Sequence, residues 1–170
     1  CWWEIVPGVS EFYPTLTRLA DMGFRVGSSS AGMEGADDFL VYLAFESEDG
    51  VITSVEVSGD YLIGTEEETN VRSQAFARGW RNYSVAEMLN TYGLPSRIFI
   101  YSPFRADPGG GPGYHLLLFY EQLGIVAEYW GNAEQLDAER YRACLGLDKV
   151  GSIRLLLYRP EQSESIVERV

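Results

Sequence analysis

The sequence predicts an α+β protein, built as two similar helix-plus-antiparallel-sheet units in tandem that form one compact body. Three observations predict it. Two short amphipathic helical patterns each end at a glycine, each is followed by apolar runs with hairpin turns, and the order of these features repeats. The stops Gly23 and Gly93 are 70 residues apart, the turn glycines Gly50 and Gly124 are 74 apart, and Phe45-Glu46 matches Tyr120-Glu121 at a spacing of 75.

The first helix is expected after Ser10, with Phe12, Leu16, Leu19 and Met22 on one face. Pro14 falls in the first turn, where its missing N–H costs nothing, and Gly23 supplies the stop. Residues 24–27 read as extended and residues 28–38 as a small-residue loop. Residues 39–46 and 51–57 read as strands joined at Ser47-Glu48-Asp49-Gly50. Residues 59–70 read as a polar, acidic connection.

The second unit opens with Ser84-Val85-Ala86-Glu87, a capping box, and its helix presents Val85, Met88, Leu89 and Tyr92 before Gly93 and Pro95 end it. A strand is expected over 97–102, a loop over 107–113, and a hairpin over 114–121 and 125–130 around Gln122-Leu123-Gly124. A short helix over 133–142, a last strand over 152–159 and a polar tail from Pro160 complete the chain. The expected organisation is therefore residues 1–70 as a first unit with an acidic face, 71–131 as a second unit, and 132–170 completing the second.

Pro7-Gly8-Val9-Ser10 with Leu19 and Gly23, and Tyr83-Ser84 with Met88-Leu89 and Tyr92-Gly93-Leu94-Pro95, resemble the unit of the BamE/SmpA-type outer-membrane assembly lipoproteins. Two such units in tandem resemble the β-lactamase inhibitor protein (BLIP-like) fold. The resemblance covers roughly residues 5–131 on short motifs. The first unit departs from it, having Met22-Gly23-Phe24-Arg25 with no proline after the glycine. What the resemblance implies is a helix-backed antiparallel sheet in proteins that bind other proteins, lack catalysis and are often lipid-anchored. It carries over framework positions and no binding residue.

Charge narrows the function classes. The net charge is −12, and all of it lies in residues 1–70, which hold 14 acids against Arg18 and Arg25. Residues 71–170 hold 11 of each sign. So acidic a surface repels polyanions, which argues against nucleic acid. With 46% apolar residues the chain can build a core, and no apolar run approaches the length of a spanning helix.

Catalytic and metal signatures are sparse. His115 is the only histidine and sits inside an expected strand, where packing or a hydrogen bond accounts for it. Gly27-Ser28-Ser29-Ser30-Ala31-Gly32 lacks the pattern of a nucleophile elbow, and Asp107–Gly113 lacks the lysine of a phosphate-binding loop. Cys1 and Cys144 form no zinc motif. Carboxylates such as Asp37-Asp38, Glu46, Glu48-Asp49 and Glu66-Glu67-Glu68 have no calcium-loop spacing, although a carboxylate pair set by the fold is open to sequence. No cofactor and no metal are expected.

The sequence opens on Cys1, the residue at which a bacterial lipoprotein carries its acyl chains. Trp2 and Trp3 follow, suited to the headgroup zone. An arbitrary boundary, or a Cys1–Cys144 disulfide, are the competing readings. The expected address is the extracytoplasmic face of a bacterial membrane, with Cys1 as lipid attachment.

The expected function is non-catalytic protein–protein interaction, as an accessory or assembly subunit of a membrane-associated complex. The alternatives are a soluble secreted enzyme inhibitor or binder, and a carboxylate-based hydrolase or calcium-binding module. Aromatic and arginine side chains dominate interface hot spots, so Phe76, Arg78, Trp80, Arg81, Phe104 and Arg105 are the expected partner-binding residues.

Overall fold

Local chemistry starts the chain's first helix where the periodicity places it. The computed structural model describes residues 4–34, 39–61, 66–105, 112–137, 140–143, 145–146 and 150–169. Helix α1 spans Phe12–Asp21 and buries Phe12, Thr15, Leu16 and Leu19. Ser10 does not cap it: its Oγ accepts the Val6 N–H at 2.9 Å, and Glu11 occupies the cap position without a side-chain bond. Met22 lies past the helix end and is exposed, while Gly23 turns the chain at φ 93°.

Strand β1 (Arg25–Val26) follows, then β2 (Ser30–Glu34), β3 (Phe39–Glu48) and β4 (Val51–Tyr61). Part of the loop expected over 28–38 is thus the strand β2, which pairs antiparallel with β3 from Ser30↔Ala44 to Glu34↔Leu40. Pairing, not local propensity, makes this serine- and glycine-containing stretch extended. The β3–β4 turn is two residues, Asp49 (φ 52°) and Gly50 (φ 79°), the left-handed pair that matches the twist of a hairpin.

The connection expected over 59–70 is instead the end of β4 and the start of a helix, α2 (Glu66–Gly79). Three consecutive glutamates opening this helix sit at the positive end of its dipole, a favourable placement. A 3₁₀ turn (Arg81–Tyr83) leads to α3 (Val85–Tyr92). Ser84 Oγ accepts the Glu87 N–H at 3.2 Å, while the Ser84 N–H goes to the Arg81 carbonyl, so only half of the expected capping box forms.

Strands β5 (Arg97–Arg105), β6 (Pro112–Tyr120) and β7 (Ile125–Gln135) form an antiparallel meander. The helix expected over 133–142 is not there. Strand β7 continues through that region to Gln135 and pairs with β8 (Tyr141–Ala143), so strand pairing overrides the helix propensity of Ala133, Glu134 and Gln135. Strand β9 (Val150–Tyr158) comes last. The expected polar tail then folds as a 3₁₀ turn and α4 (Ser163–Arg169), pinned by the buried Ile166.

The nine described strands make one antiparallel sheet in the order β1-β2-β3-β4-β9-β7-β6-β5, with β8 attached to β7. Strand β9 joins the two sides, pairing with β4 through Val57↔Leu155 and with β7 through Ala127↔Leu155. The boundary expected after residue 70 falls inside α2, and β9, from the expected third segment, sits in the middle of the sheet.

Alternation divides the sheet into two faces. On one, Leu43, Phe45, Val55, Val57, Leu155 and Tyr129 pack under α1, α2 and α3 in the main core. On the other, a smaller cluster of Leu117, Phe119, Val126 and Tyr158 is covered by Ile166 of α4.

Candidate functional site

Helix α4 covers only part of its face, and the uncovered part carries the polar residues of the strands. Tyr42, Ala44 and Glu46 of β3 alternate with the core residues Val41, Leu43 and Phe45, and so point to this open face. By register Ser54 lies opposite Glu46, Arg154 lies between Ser58 and Glu128, and His115 lies between Tyr101 and Trp130. One row of side chains therefore crosses five neighbouring strands, from Glu56 on β4 to Tyr101 on β5.

Contacts bind the row together. Arg154 Nη2 donates to Glu128 Oε2 at 2.6 Å, and Nη1 reaches Glu56 Oε2 at 3.5 Å. His115 Nε2 lies 3.2 Å from the same Glu128 oxygen. The His115 ring stacks on Trp130 at 4.5 Å and 11°, and on Tyr101 at 5.7 Å and 30°. The Arg154 guanidinium sits 5.2 Å from the centre of the Trp130 ring, a cation–π contact. Glu128 is only 1% exposed, and Arg154 and the imidazole are the partners that its buried side chain meets. At the near end, Ser54 Oγ donates to Glu46 Oε2 at 2.9 Å.

Beside the row, a cleft of about 240 Å³ opens between α4 and strands β3, β4 and β9. Ala44, Phe45, Leu156 and Ile166 give it apolar walls, and Glu46, Ser54, Glu56, Glu128 and Arg154 give it polar ones. Among the described residues no three His, Cys, Asp or Glu side chains converge as metal ligands. No helix among them is long and apolar enough to cross a membrane.

Burial also acts on four tyrosines. The Tyr129 hydroxyl is pushed far above its ordinary range, first by burial and then by Tyr120 and Tyr114, and it donates to the Tyr83 carbonyl at 2.8 Å. Tyr83, Tyr120 and Tyr158 are raised too, again chiefly by burial.

The expected contact residues are not brought together on this face. Phe76 and Trp80 are 0% and 2% exposed, and both belong to the main core. Trp80 packs directly against Gly59, where any Cβ would collide with the indole, and it meets Tyr83 in a T-shaped contact. Neither ring presents a surface to a partner, because the glycine leaves the sheet a recess that the indole fills. Arg78 and Arg81 are exposed, on the side of the sheet roofed by α1 to α3. Phe104 and Arg105 pair through their backbones with Gly113 and Pro112, and their side chains lie outside the described residues, as do Cys1, Trp2, Trp3 and Cys144.

The row itself escapes sequence reasoning, except that His115 is expected in a strand with packing or a hydrogen bond to account for it. A usable signal was present: single charges, Glu128 and Arg154, interrupt the apolar runs 125–130 and 153–158. Opposite charges in two such strands fit side by side, but only the pairing of β7 with β9 makes them neighbours. Comparisons with protein-family models, with curated proteins and with solved structures find no match for this chain.

Proposed function

We propose that the protein acts by binding another protein across the open face of its sheet, as a non-catalytic accessory or assembly subunit of a membrane-associated complex. The observation that supports this is the unequal roofing. Among the described residues three helices pack on one face, whereas α4 alone covers part of the other, leaving a row of aromatic and charged side chains already fixed by mutual contact. Tyrosine, tryptophan and arginine bury large areas in interfaces, and side chains ordered in advance lose little entropy on binding. The hydrolase alternative is weaker. The most buried carboxylate among the described residues, Glu128, is engaged by Arg154 and lies against His115, so it is already committed within the row.

Photo-crosslinking tests the reading. A benzophenone side chain replacing the exposed Tyr42 or Tyr101, both on the open face, should give one discrete protein adduct in the cell that makes the chain. The same group at the exposed Tyr13 of α1 should give none. An adduct from Tyr13 alone, or from no position, would defeat the proposal.

A further inference from the structure

We propose that the outer edge of β5 pairs with the same edge of a second copy of this chain, antiparallel about a two-fold axis at Phe99, to make one continuous sheet. The edge is distinct from the open face, and either can be occupied without the other.

The two ends of the sheet are unlike. At one end β1 is only Arg25–Val26, short and charged as guarded edges usually are. At the other end β5 runs from Arg97 to Arg105, and among the described strands none pairs with its outer side. Its Ile98, Ile100 and Tyr101 are 54%, 63% and 50% exposed. Ile98 and Ile100 lie opposite Leu118 and Leu116 of the main core, so the apolar layer beneath the helices continues to this edge and is exposed there. No charge interrupts the edge from Ile98 to Tyr101, and its ladder with β6 stays in register as far as Tyr101. A regular apolar edge of this kind invites a further strand.

The residue order of that edge selects a second copy as its occupant. Pro95-Ser96-Arg97-Ile98-Phe99-Ile100-Tyr101-Ser102-Pro103 reads the same in both directions about Phe99, apart from Arg97 against Tyr101. In a two-fold pairing Ile98 of each copy faces Ile100 of the other, Phe99 faces Phe99, and Arg97 faces Tyr101. Apolar side chains then meet on the helix-roofed face, and a ring pair and two cation–ring pairs form on the open face, with no like charges opposed. The prolines lack the N–H that a ladder needs, which confines pairing to the stretch between them. Charge agrees with this placement. The whole −12 lies in residues 1–70, whereas residues 71–131 hold Glu87, Asp107, Glu121 and Glu128 against five arginines. Since β5 ends the sheet on the side away from β1 to β4, two copies joined there keep their acidic halves farthest apart. Arg97 is paired with Glu121 at 2.7 Å, so the edges meet without cationic repulsion.

Sedimentation equilibrium of the full chain, with crosslinking, tests this. The wild-type chain should sediment at twice its own mass, with a dissociation constant in the micromolar range or below. Ile98→Lys/Ile100→Lys charges two exposed positions, and should weaken the dimer at least tenfold while keeping the sheet signal in circular dichroism. Cysteines read the register in a chain carrying Cys1→Ser and Cys144→Ser. Phe99→Cys should oxidise to a disulfide-linked dimer, because the axis brings the two copies of position 99 to a Cα separation of roughly 4.5–5.5 Å. Tyr101→Cys should not, since position 101 faces position 97. A benzophenone side chain replacing Ile100 should, in the cell, give an adduct of the chain with itself.

A monomer at every concentration reached would overturn the proposal, and so would a dimer that the two lysines leave equally tight, since it would be joined elsewhere. Equal disulfide yields at positions 99 and 101 would overturn the two-fold pairing. An Ile100 adduct with a different protein would do the same, because the edge would then take another chain's strand. The wild-type mass and the Ile100 adduct decide the matter even if a variant fails to fold. Tyr42 lies on β3, at the far side of the sheet, so its crosslink tests the open-face reading alone. A Tyr101 adduct of twice the chain's mass reports the second copy instead.

Discussion

Trp80 and Arg81 are adjacent in sequence and opposite in environment, the indole sealed against Gly59 and the guanidinium in solvent. Replacing a buried aromatic with alanine costs about 3–5 kcal/mol, whereas an exposed side chain away from special features costs within about 0.5 kcal/mol. Trp80→Ala should therefore lower stability in urea unfolding by several kcal/mol, and Arg81→Ala should leave the midpoint almost unmoved. Equal effects would contradict these placements. Arg154 gives a sharper contrast. Arg154→Met leaves the Glu128 carboxylate buried with only His115 beside it, an expected loss of about 3 kcal/mol. Adding Glu128→Leu should restore most of it, because two apolar side chains need no counter-charge. If the double variant is as unstable as the single one, the ion pair is not what holds that part of the sheet.

Among the elements, those with a strong period were legible, and those that depend on partners were not. The amphipathic stripes of α1 and α3 and the alternating hairpins around Gly50 and Gly124 are written in residue order, and they fold near the expected positions. Helix α2 has no such stripe: Ala75 and Phe76 are the deeply buried residues among its described side chains, and its acidic start resembles a connector. Strand β2 and the end of β7 become extended because a neighbouring strand hydrogen-bonds to them, which no local window contains. Helix α4 was hidden behind Pro160, read as the start of a tail, although proline at the opening of a helical turn is a common placement. The open-face row was illegible for the same reason as β2, since it needs the order of the strands. Helix α4 is attached through the buried Ile166, with Val167 beside it. Ile166→Asp should detach it, raising amide exchange over 163–169 and exposing Phe119 and Val126 to a hydrophobic dye, while exchange in β4 and β9 stays slow. A uniform rise in exchange across the sheet would show that α4 is integral to the core instead.

For the molecule as a whole, the buried tyrosines fix the direction of its alkaline limit. Tyr83, Tyr120, Tyr129 and Tyr158 all titrate above their ordinary value when folded. Below about pH 10 both folded and unfolded states keep these protons, so stability does not depend on them. Above it the unfolded chain releases protons that the folded one retains, and stability falls as pH rises, by up to about 1.4 kcal/mol per pH unit for each group. Unfolding followed by tyrosinate absorbance should show a late, cooperative step above pH 10, with a shallower pH slope in Tyr129→Phe. An unchanged slope would remove Tyr129 from the cause. The position of β9 has a consequence of another kind. Synthesis proceeds from the amino end, so every other described strand leaves the ribosome before the one that joins the two sides of the sheet. Until Val150–Tyr158 emerges, β4 and β7 both offer bare hydrogen-bonding edges with nothing in the nascent chain to close them. Closure waits on contacts of long sequence separation, which form slowly. From the emergence of Tyr61 to that of Val150 the nascent chain therefore carries an inner edge that its finished form does not expose, and the ninth strand closes both inner edges at once.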